Sequence, residues 1–259
     1  MRRFVIAGNW KMNKTLGEAV ALAKDLKDGC GLRDEVDIIV CPPFVALAAV
    51  RDALQNSLVA IGAQNMHWEA AGAFTGEVSP QMVQNLCSHV ILGHSERRSH
   101  FGETDAMVNR KVIAAIAHGL TPIVCVGETD AENQAGMTQE VLDRQTTRAL
   151  SGLSSQQAAS VILAYEPIWA IGTGRAAAPE EANATIGLVR AVVGREFEAS
   201  TAEDIRILYG GSINPSVWPE IIAQPDVDGG LVGGASLNAE DFVALSAQTR
   251  DASVARAGT

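Results

Sequence analysis

Short runs of β-branched and other apolar residues recur along the whole chain, each followed by a longer stretch with helical spacing. That rhythm limits the available folds more than any other feature. The runs are Phe4–Ala7, Val36–Cys41, Leu58–Ala63, His89–Leu92, Thr121–Val126, Val161–Tyr165, Ile205–Tyr209 and Val227–Val232. Most are nearly continuously apolar rather than alternating, as parallel strands buried on both faces require. Between them, stretches such as Gly17–Lys27, Asp105–His118, Gln139–Leu150, Pro179–Phe197 and Asn238–Gln248 gather Leu, Val, Ile and Ala on one helical face. Pro179 followed by Glu180 and Glu181 marks a helix start, with proline in the first turn and acids facing the dipole.

Over 259 residues the eight units average about 32 residues, the size of a strand–helix repeat. The prediction is an α/β fold, a closed (β/α)8 barrel with a parallel eight-stranded sheet ringed by helices. A doubly wound open sheet remains the alternative, because a strand count does not prove closure. No linker or shift of composition divides the chain. A single domain over 1–259 is expected, with the polar segment 249–259 read as a frayed tail.

Composition excludes several partners. The chain is 47% hydrophobic and carries 20 Lys plus Arg against 30 Asp plus Glu, a net charge of -10. It can fill a large core, and without a basic excess no nucleic-acid partner is expected. The balance does not bear on a small phosphorylated substrate, which feels the charges of its own pocket. The first apolar run is broken by Asn9 and Lys11, too early for a signal peptide. The stretch Phe44–Val50 falls well short of the roughly 18 residues of a membrane span, so no membrane partner is expected. Cys30, Cys41, Cys87 and Cys125 form no Cys-x-x-Cys pair and read as reduced thiols of a cytoplasmic protein, without a disulfide framework or metal site.

The residues that follow the strands carry the chemistry. Asn9-Trp10-Lys11 follows the first and Gly93-His94-Ser95-Glu96-Arg97-Arg98 the fourth. The sixth runs into Glu166-Pro167, the seventh into Gly210-Gly211-Ser212 and the eighth into Gly233-Gly234. In a closed barrel these positions meet at the carboxyl-terminal mouth, where such folds place their sites. Each has a plainer reading. Lys11 alone is more often a solvated surface charge, and His94 alone a hydrogen-bonded structural histidine at a helix start. Glu166 is harder to dismiss, because a carboxylate ending an apolar strand is costly unless something pairs or uses it. The paired glycines can be simple turns. On the last two strands they also match a phosphate site common to many barrels, where backbone N–H groups hold the anion. Gly172-Thr173-Gly174 with Ala177 fits a dinucleotide fingerprint only superficially, since it is separated from its strand and no βαβ context follows.

Taken in order, Asn9-Trp10-Lys11-Met12-Asn13, Gly72 to Glu77, Gly93 to Arg98, Ala164 to Gly174, Tyr209 to Ser212 and Val232 to Ser236 resemble the triosephosphate isomerase family over essentially the whole length. The resemblance implies a TIM barrel that interconverts dihydroxyacetone phosphate and D-glyceraldehyde 3-phosphate without a cofactor, in glycolysis and gluconeogenesis. It implies Glu166 as general base, His94 as a neutral electrophile, and Lys11 with Asn9 binding the substrate and stabilising charge. Gly172, Ser212, Gly233 and Gly234 would hold the phosphate, and 167–175 would form a lid. The 64–80 loop, with Thr75 near its tip, resembles the arm through which two copies pair as a homodimer.

The implied chemistry suits these residue types. One carboxylate can move a proton between adjacent carbons, and burial under the lid would raise Glu166 from about 4.3 toward neutrality. A hydrogen bond from His94 and the charge of Lys11 would meet the enediolate oxygens. Arg175, Ala176 and Ala178 depart from residues common in the family's lid hinge, which bears on lid opening. Gly230 replaces a larger side chain in the last strand, so loose packing is expected there. Cys125 is given a packing role. Two rival readings are an aldolase using a lysine Schiff base and a barrel that only binds a sugar phosphate or a protein. No lysine ends the sixth strand, and a pure binder has no need of a base.

Overall fold

The computed structural model describes residues 2–30, 35–171 and 177–258. Among these, eight parallel strands close on themselves in sequence order, which settles the barrel against the open sheet. The strands are β1 (Phe4–Asn9), β2 (Val36–Cys41), β3 (Ala60–Ala63), β4 (His89–Leu92), β5 (Thr121–Val126), β6 (Ile162–Tyr165), β7 (Arg206–Tyr209) and β8 (Gly229–Val232). β1 pairs with β2 along its whole length, Phe4 opposite Val36 through Asn9 opposite Cys41, and closes the ring against β8. Among the described residues no helix is long and apolar enough to cross a membrane.

The near-continuous apolar strands serve two cores at once. Alternate residues, among them Val5, Ala7, Ile39, Ile91, Ile123, Cys125, Ile162, Ala164, Leu208 and Leu231, form one buried cluster. The intervening residues, such as Phe4, Ile6, Leu92, Val124 and Leu163, pack with helix residues including Leu26, Val112, Ile186 and Phe242 in the other. The period of two in a strand sorts side chains between the barrel interior and the helical jacket.

The buried carboxylate of Asp228, just before β8, ties the N-terminal segment to the helix Pro179–Glu196 and to β7. Asp228 accepts from Arg2 Nε at 2.7 Å, Arg190 Nη2 at 2.8 Å and the backbone N–H of Ile207 at 3.0 Å. A charge so buried requires such partners.

Two expectations about packing are corrected. Up to residue 257 the segment after residue 249 is not a loose tail: the helix Ala239–Ala257 continues through it. Thr249 Oγ1 accepts from the buried Trp218 Nε1 at 2.8 Å, and the Arg256 guanidinium lies 4.4 Å above the Phe4 ring. Nor is packing loose at Gly230. A Cβ there would lie 2.8 Å from Trp218 Cη2 and 3.0 Å from Ile213 Cδ1. The indole occupies the space that a larger strand side chain would take, and short apolar distances of this kind leave no void.

Candidate active site

Strand alternation carries the interior-facing rows to the carboxyl-terminal mouth. Val5 and Ala7 lead to Asn9, Ile162 and Ala164 to Glu166, Leu208 to Gly210, and Leu231 to Gly233. There a cavity of about 400 Å³ is lined by Asn9, Lys11, His94, Glu166, Ser212, Gly233 and Gly234. Seven of the residues singled out from sequence thus share one space. The eighth, Gly172, lies outside the described residues, as do Arg175 and Ala176.

Glu166 is fixed by the element it ends and by the one it faces. Its N–H donates to Val126 O at 2.8 Å, extending the β5–β6 pairing by one residue. Its carboxylate is buried; Oε1 lies 2.9 Å from His94 Nε2, and Oε2 accepts from the Ser95 N–H at 2.9 Å. His94 caps the helix Ser95–Phe101, with Nδ1 accepting from the Glu96 N–H at 3.2 Å. An acceptor at Nδ1 leaves the proton on Nε2, the nitrogen that faces Glu166 and the cavity.

This mutual contact corrects the titration expected from sequence. Burial works to raise the Glu166 pKa, but the imidazole opposite, the Ser95 N–H and the Lys11 charge hold it below the ordinary carboxylate value. Burial pulls His94 down, yet Glu166 and then Glu96 more than offset it and leave the imidazole raised. The influence that decides the outcome is the imidazole against Glu166 rather than the cover above it.

Lys11 reaches the mouth through a backbone conformation with a positive φ of 51°. That region is costly for a residue with a side chain and is held here by its neighbours. Its N–H donates to Asn9 Oδ1 at 3.0 Å, and its carbonyl accepts from Gln64 Nε2 at 2.8 Å. Asn9 therefore positions Lys11 as well as lining the cavity. The Lys11 ammonium lies 2.7 Å from Glu96 Oε1.

Ser212 Oγ donates to Ala170 O at 2.8 Å, joining the β7 turn to the segment after Glu166. A Cβ at Gly233 would come within 3.6 Å of Lys11 Cε, whereas one at Gly234 would meet open space. Cys125 is buried below Glu166, its thiol pushed far up by burial and then by the Glu166 charge, in keeping with a packing role.

Two further acids support the site. Glu96, in the Gly93–Arg98 stretch, holds Lys11. Glu128 is fully buried; its Oε1 accepts from Trp169 Nε1 at 2.8 Å and Tyr165 OH at 3.1 Å, anchoring the start of the 167–175 segment. The reasoning applied to Glu166, a carboxylate just beyond an apolar strand, would have found it.

The family model for triosephosphate isomerase matches residues 4–249. Proteins named triosephosphate isomerase are similar over nearly the whole chain. That of Chloroflexus aurantiacus is 52% identical over 246 residues, 95% of this chain and 98% of its own length. That of Herpetosiphon aurantiacus is 51% identical over 246 residues, with the same shares covered. That of Dehalococcoides mccartyi is 50% identical over 248 residues, 96% of this chain and 97% of its own. The match spans every strand of the barrel and every loop that reaches the cavity, and the chain belongs to the triosephosphate isomerase family.

Proposed function

We propose that this isomerase moves the carbonyl of a triose phosphate by a single-base proton transfer in which Glu166 is the base. The observation that carries the reading is the convergence of a buried carboxylate, an imidazole and an ammonium on one cavity, with Oε1 of Glu166 2.9 Å from His94 Nε2. A substrate lodged between these groups takes the carboxylate from His94. Glu166 then removes a proton from one carbon and returns it to the next. The enediolate between the two steps bears negative charge on adjacent oxygens. His94 donates to them through Nε2, and Lys11 supplies a fixed positive charge.

Asn9, held against the Lys11 N–H, orients the substrate. The backbone turns at Gly233 and Gly234, with Ser212, hold the phosphate at the far side of the cavity, and Gly172 joins them from the lid 167–175. Closing the lid excludes water from the enediolate, which would otherwise lose its phosphate. No cofactor enters this chemistry. Family membership does not favour a barrel that binds without catalysing.

The protein works as a cytoplasmic homodimer paired through the 64–80 loop. Met12, Val45, Phe74 and Met82 are exposed apolar side chains, and the first three lie in the connections that follow β1, β2 and β3, Val45 in the short helix Phe44–Ala46. Apolar groups in such numbers on one end suit an isologous contact between two copies.

The test is Glu166→Asp, which withdraws the carboxylate by one methylene. In an isomerase assay with each triose phosphate, kcat falls about 10²-fold or more. Unchanged turnover removes Glu166 from the role of base.

A further inference from the structure

Gln145 is a polar side chain on a helix face that ought to be apolar. It lies on the helix Thr138–Leu150 among Val141, Leu142, Thr146, Ala149 and Leu150, and it is 6% exposed. A leucine would satisfy the amphipathic pattern, and burying an amide there is costly without partners. Its partners are both on one residue. Gln145 Oε1 accepts from the Gly127 N–H at 2.8 Å, and Gln145 Nε2 donates to Gly127 O at 3.1 Å. The amide thus grips Gly127 as a neighbouring strand would.

Gly127 lies at the point where the β5–β6 ladder ends. The register stops at Val126 opposite Tyr165, followed by the bond from Glu166 N–H to Val126 O. Gly127 presses on the residue that follows β6: a Cβ there would lie 1.8 Å from Glu166 O and 2.7 Å from Glu166 C. One residue on, Glu128 O accepts from the Ile168 N–H at 3.2 Å, and the Glu128 carboxylate holds Trp169. The backbone gripped by Gln145 is therefore the wall behind the base and the support of the segment that follows it.

We propose that Gln145 is a positioning residue for the isomerisation, fixing the Gly127 peptide and through it the backbone of Glu166. The proposal rests on Glu166 being the base. Gln145 does not line the active-site cavity and performs no proton transfer. It limits the travel of the carboxylate, and small displacements of a reacting group carry large losses of rate.

Two variants of the full-length protein test this. Gln145→Leu keeps volume and removes both hydrogen bonds; kcat falls on the order of tenfold to a hundredfold while KM stays within about threefold. Gln145→Glu turns the amide into a switch. A protonated carboxyl still accepts from the Gly127 N–H and donates to Gly127 O, whereas the ionised form repels that carbonyl. Arg98, Arg144, Glu103, Asp105 and Glu132 line the adjoining cleft, and burial favours the neutral acid.

The ratio of variant to wild-type kcat then declines as pH rises from about 5.5 to about 9, a signature that a loss of packing does not produce. If Gln145→Leu does not fold, Gln145→Glu decides alone. The proposal is overturned if folded Gln145→Leu keeps kcat within twofold, or if Gln145→Glu matches wild type at a pH where the carbon-13 shift of the introduced carboxyl shows it ionised. Glu166→Gln serves as control. Activity retained in that variant removes the premise, whereas activity lost there but kept in Gln145→Leu removes only the positioning role.

Discussion

Adding one methyl group at Gly127 should disable the enzyme without touching its chemistry. The Cβ of Gly127→Ala would be placed 1.8 Å from Glu166 O, and ordinary contact begins at 3.4 Å. About 1.6 Å must be opened between the two backbones, more than the ~1 Å misplacement that can cost about 10²-fold in rate. Two responses are available. If Glu166 yields, its 2.9 Å contacts with His94 Nε2 and the Ser95 N–H are lost and the carboxylate leaves its line of approach. If Gly127 yields, both hydrogen bonds to Gln145 break, leaving buried groups unpaired at about 1–3 kcal/mol each. Strain divides between them, so Gly127→Ala lowers both thermal stability and kcat, the latter by about 10²-fold or more. Steady-state kinetics with each triose phosphate, on protein shown to be folded by near-UV circular dichroism, reads the effect. Folded Gly127→Ala with kcat within threefold of wild type would refute the argument that this backbone contact positions the base.

Three other perturbations have defined outcomes. Lys11→Met removes the ammonium at the cavity, and kcat/KM should fall about 10²-fold or more with both kcat and KM affected; a change confined to stability would make Lys11 structural. Thr75→Arg at the tip of the 64–80 loop should weaken self-association and activity together, as sedimentation and assay would read; an intact dimer contradicts the arm assignment. Burial, and then the Arg206 charge, lowers the pKa of His89 to about 4, with Asp37 opposing. An unfolded imidazole takes up its proton near 6.5 and the folded one only near 4. The contribution is therefore complete above about pH 6.5 and is lost as pH falls toward 4, by about 3 kcal/mol in all. His89→Gln should flatten this acid-side loss in urea unfolding at pH 7 and pH 5, and an unchanged slope would remove His89 as its source.

The fold was legible because parallel strands buried on both faces leave a record in composition alone. β2, β4 and β5 span the predicted residues without change, and β6, β7 and β8 begin only one or two residues later. Closure was not written in any single strand; it needs the pairing of β1 with β8, a contact between the two ends of the barrel sequence. The site was legible where polarity interrupts an apolar strand, as at Glu166 and Asn9. It was not legible where a role depends on a partner distant in sequence. Nothing around Glu96 announces that it will face Lys11, and nothing around Gln145 announces Gly127. The looseness expected at Gly230 failed for the same reason, since the filling indole comes from Trp218 on another element. The tail was misjudged because its polarity hides a few anchoring contacts, those of Thr249 and Arg256.

The titration of the central pair follows from contact rather than from burial alone. For both Glu166 and His94 burial is the largest single influence, and for both it is overridden because each faces the other. A triose phosphate inserted between them removes the overriding cause and leaves the larger one. In the proposed mechanism the carboxyl then rises, which suits it to act as the base, and the imidazole falls toward its neutral form. The Glu96 N–H on Nδ1 does not depend on that contact and keeps the remaining proton on Nε2, aimed at the substrate oxygens. Under that proposal, binding and preparation for proton transfer are the same event. Positioning by Gly127 and Gln145 matters because the carboxylate must leave one partner and meet another within a single short movement of its side chain, with its backbone held still.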